Sequence, residues 1–276
     1  MILYNGALVA KENVCISFED RGYYFGDGVY EVFRIYNGQL YEKNAHLERL
    51  ERSSREIKLQ LNYTLPQIEE MLDQLLKTVN VNEGTLYLQI TRGIAPRSHT
   101  FPEHCSPTLL AYVTPVKRPL ETIRNGITAI TRDDFRWLRC DIKSLNLLPN
   151  TLLKQEAVEN GVHEVILHRN GIVTECSSSN VMIAKDGIIY THPANHLILH
   201  GITRSVVLRL AEQLNIPVKE QTFTVDELYN ADEAFITGTT VEITPVLSID
   251  NQSVGSGAPG EITRKLQHAF EETIQQ

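Results

Sequence analysis

Four Asx-Gly pairs divide this chain into hairpins. Asn5-Gly6, Asn37-Gly38, Asn170-Gly171 and Asp186-Gly187 each lie between short runs that read as strands. A two-residue hairpin loop whose twist matches its strands needs positive φ, which Asn, Asp and Gly tolerate best. These pairs therefore predict antiparallel strands close in sequence. Residues 30–36 should pair with 39–43 around a type I′ turn at Asn37-Gly38. Further strands are expected at 85–91, 108–114, 127–131, 164–168, 172–176, 180–184 and 188–191.

Helical spacing marks the intervening segments. Asn44 is a candidate N-cap for a helix carrying Leu47, Leu50 and Ile57, and Pro66 suits the first turn of a second, which should bury Ile68, Met71, Leu72, Leu75 and Val79. Three more helices are expected near 150–160, 203–214 and 261–275, with Gly161 ending the first. The proline-rich stretch 114–119 is the best linker, so the domains are placed at 1–116 and 117–276. Regular β-α-β alternation is lacking, which excludes a doubly wound sheet. The expectation is an α+β fold of two domains with mostly antiparallel sheets.

Composition narrows the partners. A net charge of -8 argues against a nucleic-acid footprint, which needs a basic surface. No apolar run reaches the length of a membrane span, and the N-terminus lacks the basic-then-apolar pattern of a signal peptide. Cys15, Cys105, Cys140 and Cys176 form no C-x-x-C pair and suit no metal site. They are expected as reduced thiols in the cytoplasm.

Three segments could carry chemistry. Lys143 lies between Ile142 and Leu145 in a stretch too apolar for an ordinary solvated loop, where desolvation would favour a neutral, nucleophilic amine. The alternative is one more solvated lysine. Glu175 ends a short apolar strand before Ser177-Ser178-Ser179, and could hold a proton on a heterocyclic nitrogen or simply sit at an edge. His200-Gly201-Ile202-Thr203 opens a helix, where free N–H groups and a hydroxyl can bind phosphate. Thr237-Gly238-Thr239-Thr240 could add donors, or be only a turn.

The segments Glu19–Glu31, His46–Leu50, Thr91–His99, Arg136–Leu148, Glu175–Asn180, Gly201–Arg204 and Glu242–Pro245, in this order, resemble the class IV, fold-type IV pyridoxal-phosphate aminotransferases. The similarity spans nearly the whole chain and is strongest to the D-amino acid aminotransferase subgroup. It implies a cofactor, pyridoxal 5′-phosphate, held between the two domains. By resemblance Lys143 is the Schiff-base lysine and Glu175 the partner of the pyridine nitrogen. Arg49, Ile202, Thr203 and Thr239 match the phosphate-binding residues, and Leu199 the residue packed on the ring. Tyr30, Arg97 and His99 match the group that binds the substrate α-carboxylate. In the family the last two come from the neighbouring subunit, which implies a homodimer.

The resemblance implies ping-pong transamination between a D-amino acid and a 2-oxo acid, such as D-alanine or D-glutamate with 2-oxoglutarate or pyruvate. The Arg97-x-His99 pair sets the chain apart from branched-chain L-amino acid aminotransferases and aminodeoxychorismate lyases on the same fold. Two positions depart from the pattern: Gly238 stands where relatives often have serine, and Cys176 where they often have glycine.

Overall fold

The structure, a computed structural model, describes residues 1–275. The chain forms two compact units. One comprises Met1–Arg118 with Ile142–Leu147; the other comprises Pro119–Asp141 and the chain from Leu148 on. The fold is α+β.

The first unit contains β1 (Ile2–Tyr4), β2 (Ala7–Val9), α1 (Arg21–Phe25), β3 (Gly28–Tyr36), β4 (Gln39–Leu40), α2 (Lys43–Glu56), α3 (Leu65–Val79), β5 (Gly84–Thr91) and β6 (Thr108–Pro115). Its six strands run in the order β2-β1-β6-β5-β3-β4, antiparallel throughout. On β3, Val29, Phe33 and Ile35 alternate onto a buried face and join Leu50 of α2 and Ile68, Leu72 and Leu75 of α3 in one core. Thr64 and Gln67 form a capping box that starts α3 at Leu65, with Pro66 in the first turn.

The return strand is shorter than the expected 39–43. Glu42 takes a left-handed conformation (φ 50°) and α2 begins at Lys43, so Asn44 lies within its first turn instead of capping it. The Asn37-Gly38 turn stands as expected, with both residues at positive φ.

The second unit contains α4 (Leu120–Asn125), β7 (Ile127–Asp133), α5 (Leu148–Glu159), β8 (Glu164–Arg169), β9 (Ile172–Cys176), β10 (Asn180–Lys185), β11 (Ile188–Thr191), α6 (Ile202–Gln213), β12 (Val218–Glu220), α7 (Val225–Tyr229), β13 (Glu233–Gly238), β14 (Glu242–Ile249), β15 (Gln252–Ser253) and α8 (Glu261–Gln275). Its sheet runs β12-β11-β10-β13-β14-β7-β8-β9, with β15 on β14. Three of its pairings are parallel: β11 with β12, β14 with β7, and β7 with β8. β13 and β14 escape the sequence reading. Their buried runs lack alternation, and Pro245 argues against a central strand. Pro245 fits because β14 pairs with β7 only from Val246 on; opposite it stands Phe235 of β13.

The segment 142–147 lies with the first unit although it follows the linker in sequence. Tyr30 N–H donates to the Lys143 carbonyl (3.0 Å), Leu145 N–H to the Gly28 carbonyl (3.1 Å), and Val29 pairs with Ser144 as an isolated bridge. Six residues thus dock along the start of β3 by backbone bonds, which no side-chain pattern signals.

Leu72 is fully buried between α3 and the sheet. Leu72→Ala should destabilise the protein by about 2–5 kcal/mol, the usual cost of a large core truncation. Urea unfolding monitored by circular dichroism would measure it.

Candidate active site

In the first unit, the docked segment places Lys143 over β3. Its Nζ lies 4.1 Å from the centre of the Tyr30 ring, a cation–π distance. The backbone N–H of Lys143 donates to Ser53 Oγ (3.2 Å), which ties the segment to α2 as well. Among the described residues no carboxylate pairs with Nζ. The Lys143 side chain is half-buried.

Arg49 is held by a residue that the sequence reading passes over. Glu31 sits on the buried row of β3 among Val29, Phe33 and Ile35, where a lone charge would be very costly. Arg49 meets it with two bonds, Nε to Oε1 and Nη2 to Oε2, both 2.8 Å. His46, one turn earlier on α2, approaches Oε2 through Nδ1 at 2.7 Å. An ionised carboxylate only accepts, so Nδ1 carries the proton. Burial pushes the Glu31 carboxyl up, but Arg49 and His46 outweigh it and hold it at about 2. Burial, helped by the charges of Arg49 and Lys143, lowers the His46 imidazole despite Glu31.

Arg97 and His99 lie on the exposed loop between β5 and β6. The Phe25 ring of α1 gathers them: the Arg97 guanidinium is 5.2 Å and the His99 ring 5.5 Å from its centre. Tyr30 instead stacks on Tyr87 at 5.8 Å, on the face of β3 opposite Glu31.

In the second unit, Glu175 ends β9, 5% exposed. Its Oε1 accepts from Arg136 Nη1 (2.5 Å), and its Oε2 from Asn180 Nδ2 (2.9 Å) and the Leu199 N–H (3.0 Å). Arg136 is braced in turn by both oxygens of Asp134 (2.9 and 2.8 Å). Burial pushes the Glu175 carboxyl up, against the opposing pull of Arg136 and the Leu199 N–H. Such a group can share a proton with a neighbouring base.

Asn180 links Glu175 to the head of α6. Its amide also donates to the Leu199 carbonyl (3.0 Å), and its Oδ1 would lie 2.0 Å from a Cβ built on Gly201. Only glycine fits there. Gly201 supplies no side-chain cap, so the first-turn N–H groups of Ile202 and Thr203 could donate to an anion. Thr239 lies half-buried in the turn between β13 and β14. The buried Oγ1 of nearby Thr237 has no hydrogen-bond partner among the described residues.

A family model described as amino-transferase class IV matches residues 28–249. The chain belongs to the class IV aminotransferases. This aminotransferase is 50% identical over 273 residues to the D-alanine aminotransferase of Bacillus licheniformis, covering 99% of this chain and 96% of that protein. Its fold matches the branched-chain amino acid aminotransferase of Escherichia coli with a TM-score of 0.93 at 28% identity, covering 98% and 93% of the two chains. The T.th. branched-chain amino acid aminotransferase, in complex with N-(5′-phosphopyridoxyl)-L-glutamate, matches with a TM-score of 0.91 at 26% identity, covering 99% and 94%.

The residues present fit pyridoxal phosphate, the cofactor of this family. The aminotransferase offers an amine without a carboxylate partner, a buried carboxylate flanked by hydrogen-bond donors, and an uncapped helix start. Within the first unit Lys143 and Tyr30 come together; within the second, Glu175, Leu199 and the α6 head form one hydrogen-bonded group. Four supporting residues fall within the segments that resemble the family but were given no role from the sequence: Glu31, His46, Arg136 and Asn180. Glu31 alone carries a signal, a charge on the apolar row of a strand.

The Glu31 carboxyl is depressed from its ordinary 4.5 to about 2. The stability it contributes is present above pH 4.5 and is lost as pH falls toward 2. Glu31→Gln should therefore be less stable than wild type at neutral pH by about 3 kcal/mol. The gap should narrow progressively below pH 4.5, as read by urea titrations across that range.

Proposed function

We propose that this chain is a pyridoxal-phosphate-dependent D-amino acid aminotransferase. It moves the amino group of D-alanine or D-glutamate to a 2-oxo acid, such as 2-oxoglutarate or pyruvate, in two ping-pong half-reactions. The observation that carries this reading is Arg97 and His99 gathered on one aromatic ring, in a chain half identical along its length to a D-alanine aminotransferase. The branched-chain neighbours share the shape at much lower identity.

Bound pyridoxal phosphate supplies a carbon that accepts the amino group and a ring that withdraws the electron pair left at Cα. Lys143 would hold the cofactor through Nζ, and the same amine would be the base that moves the proton at the substrate Cα. Glu175 holds a proton at the ring nitrogen, and Arg136 and Asn180 keep its carboxyl oriented. Arg49, the N–H groups of Ile202 and Thr203, and the hydroxyls of Thr203 and Thr239 bind the phosphate. Leu199 packs on the ring. Arg97 and His99, with Tyr30, bind the α-carboxylate, for which a guanidinium fork is well shaped.

The exposure of Arg97 and His99 supports a homodimer in which they serve the neighbouring subunit. Four free thiols support a reducing compartment, the cytoplasm. Among the described residues no helix is long and apolar enough to cross a membrane.

Purified protein supplied with pyridoxal phosphate should convert D-alanine and 2-oxoglutarate to pyruvate and D-glutamate. L-leucine should be a poor donor, and aminodeoxychorismate should release no pyruvate. Lys143→Ala should lose the visible cofactor absorbance and cut turnover by about a thousandfold or more. L-leucine preferred over D-alanine would establish the branched-chain reading instead.

A further inference from the structure

The segment 19–28 carries much of the family resemblance, yet no residue of Glu19–Asp27 is assigned to touch cofactor or substrate. Its contacts indicate a purpose. Asp20 caps α1 by accepting from the Gly22 N–H (2.8 Å) and also accepts from Thr91 Oγ1 (2.9 Å) at the end of β5. Arg21 N–H donates to the Gly93 carbonyl and Ala95 N–H to the Glu19 carbonyl, so α1 is zipped to the base of the loop that bears Arg97 and His99.

The Arg21 side chain then reaches the loop itself. It is 3% exposed, and its Nε is neutralised by Asp27 (2.8 Å). Its Nη1 donates to the carbonyls of Ser98 (2.6 Å) and Thr100 (3.3 Å), the residues on either side of His99. The same Asp27 oxygen holds Arg92 (2.8 Å), whose guanidinium lies 3.8 Å from the centre of the Phe101 ring. Arg21 also lies over one edge of the set around Phe25, 4.8 Å from the ring centre.

We propose that Arg21 and Phe25 are positioning residues that set substrate carboxylate affinity by holding Arg97 and His99 in a fixed pair. This rests on the reading of Arg97 and His99 as the α-carboxylate grip. Two long side chains on an exposed loop sample many arrangements, and a two-point grip loses affinity for each freedom it must give up on binding. Arg21 removes the backbone freedom at His99 by binding the carbonyls on both sides of it. Phe25 removes side-chain freedom by placing one ring against both groups. The grip acts on the carboxylate common to all substrates, so the effect does not depend on the substrate side chain.

The test compares wild type with Arg21→Gln, Phe25→Leu and Phe25→Tyr as holoenzymes. Three quantities are read: KM and kcat for D-alanine, D-glutamate and 2-oxoglutarate; the affinity for pyridoxal phosphate; and the affinity for propionate, a carboxylate without an amino group. Arg21→Gln and Phe25→Leu should raise KM for all three substrates together by about tenfold, with kcat moved much less. Propionate affinity should fall by a similar factor, pyridoxal phosphate affinity should hold, and Phe25→Tyr should restore wild-type values. If Arg21→Gln does not fold, Phe25→Leu decides the matter. Unchanged KM and propionate affinity, or loss of kcat and cofactor affinity in their place, would overturn the proposal. Wild-type protein that binds propionate but does not turn over D-alanine would sink the D-amino acid reading alone, and the propionate comparison would still decide the role of Arg21 and Phe25.

Discussion

A charge buried beside β-sheet cores must be matched, and the functional geometry of this chain follows from how each charge is matched. Glu31 occupies a row of β3 that otherwise holds Val29, Phe33 and Ile35. It is tolerated because Arg49 presents two N–H groups in a plane and His46 a third. Arg49 therefore has one orientation rather than many. The same rule governs Glu175, held by Arg136 and Asn180, and Arg21, held by Asp27. Each pairing is weak evidence for net stability, since desolvation offsets most of the attraction. Its effect is to fix direction, which a catalytic group needs more than it needs stability.

Backbone geometry supplies the second constraint. Lys143 is presented by six residues that bond along β3 and are tied to Ser53 of α2. The α6 head can offer free N–H groups because Gly201 admits Asn180 where any side chain would collide. These devices use carbonyls, N–H groups and a missing Cβ, so they leave almost no trace in hydrophobic pattern.

The hairpins are legible because Asn-Gly and Asp-Gly turns state their φ requirement in the residues themselves, and α3 because Thr64, Pro66 and Gln67 mark its start. The start of α2 does not fall at Asn44, since Glu42 adopts a left-handed conformation that its residue type does not announce. β13 and β14 stay hidden because a strand buried on both faces loses the alternation that identifies one. Lys143, Glu175 and Arg49 are singled out by motif resemblance; their local sequences alone leave each open to an ordinary reading.

By itself the sequence determined the turn positions, most of the strands and helices, and the family to which Lys143, Glu175 and the Arg97-x-His99 pair point. These depend on local φ preferences and on short ordered motifs, which are properties of neighbours along the chain. Tertiary structure alone decided that Glu31 and His46 stand behind Arg49, that Arg136 and Asn180 stand behind Glu175, and that Arg21 braces the backbone around His99. Those pairings join residues from 5 to 79 positions apart. They exist because burial forces each charge to find a partner in space, and distance along the chain places no limit on where that partner comes from.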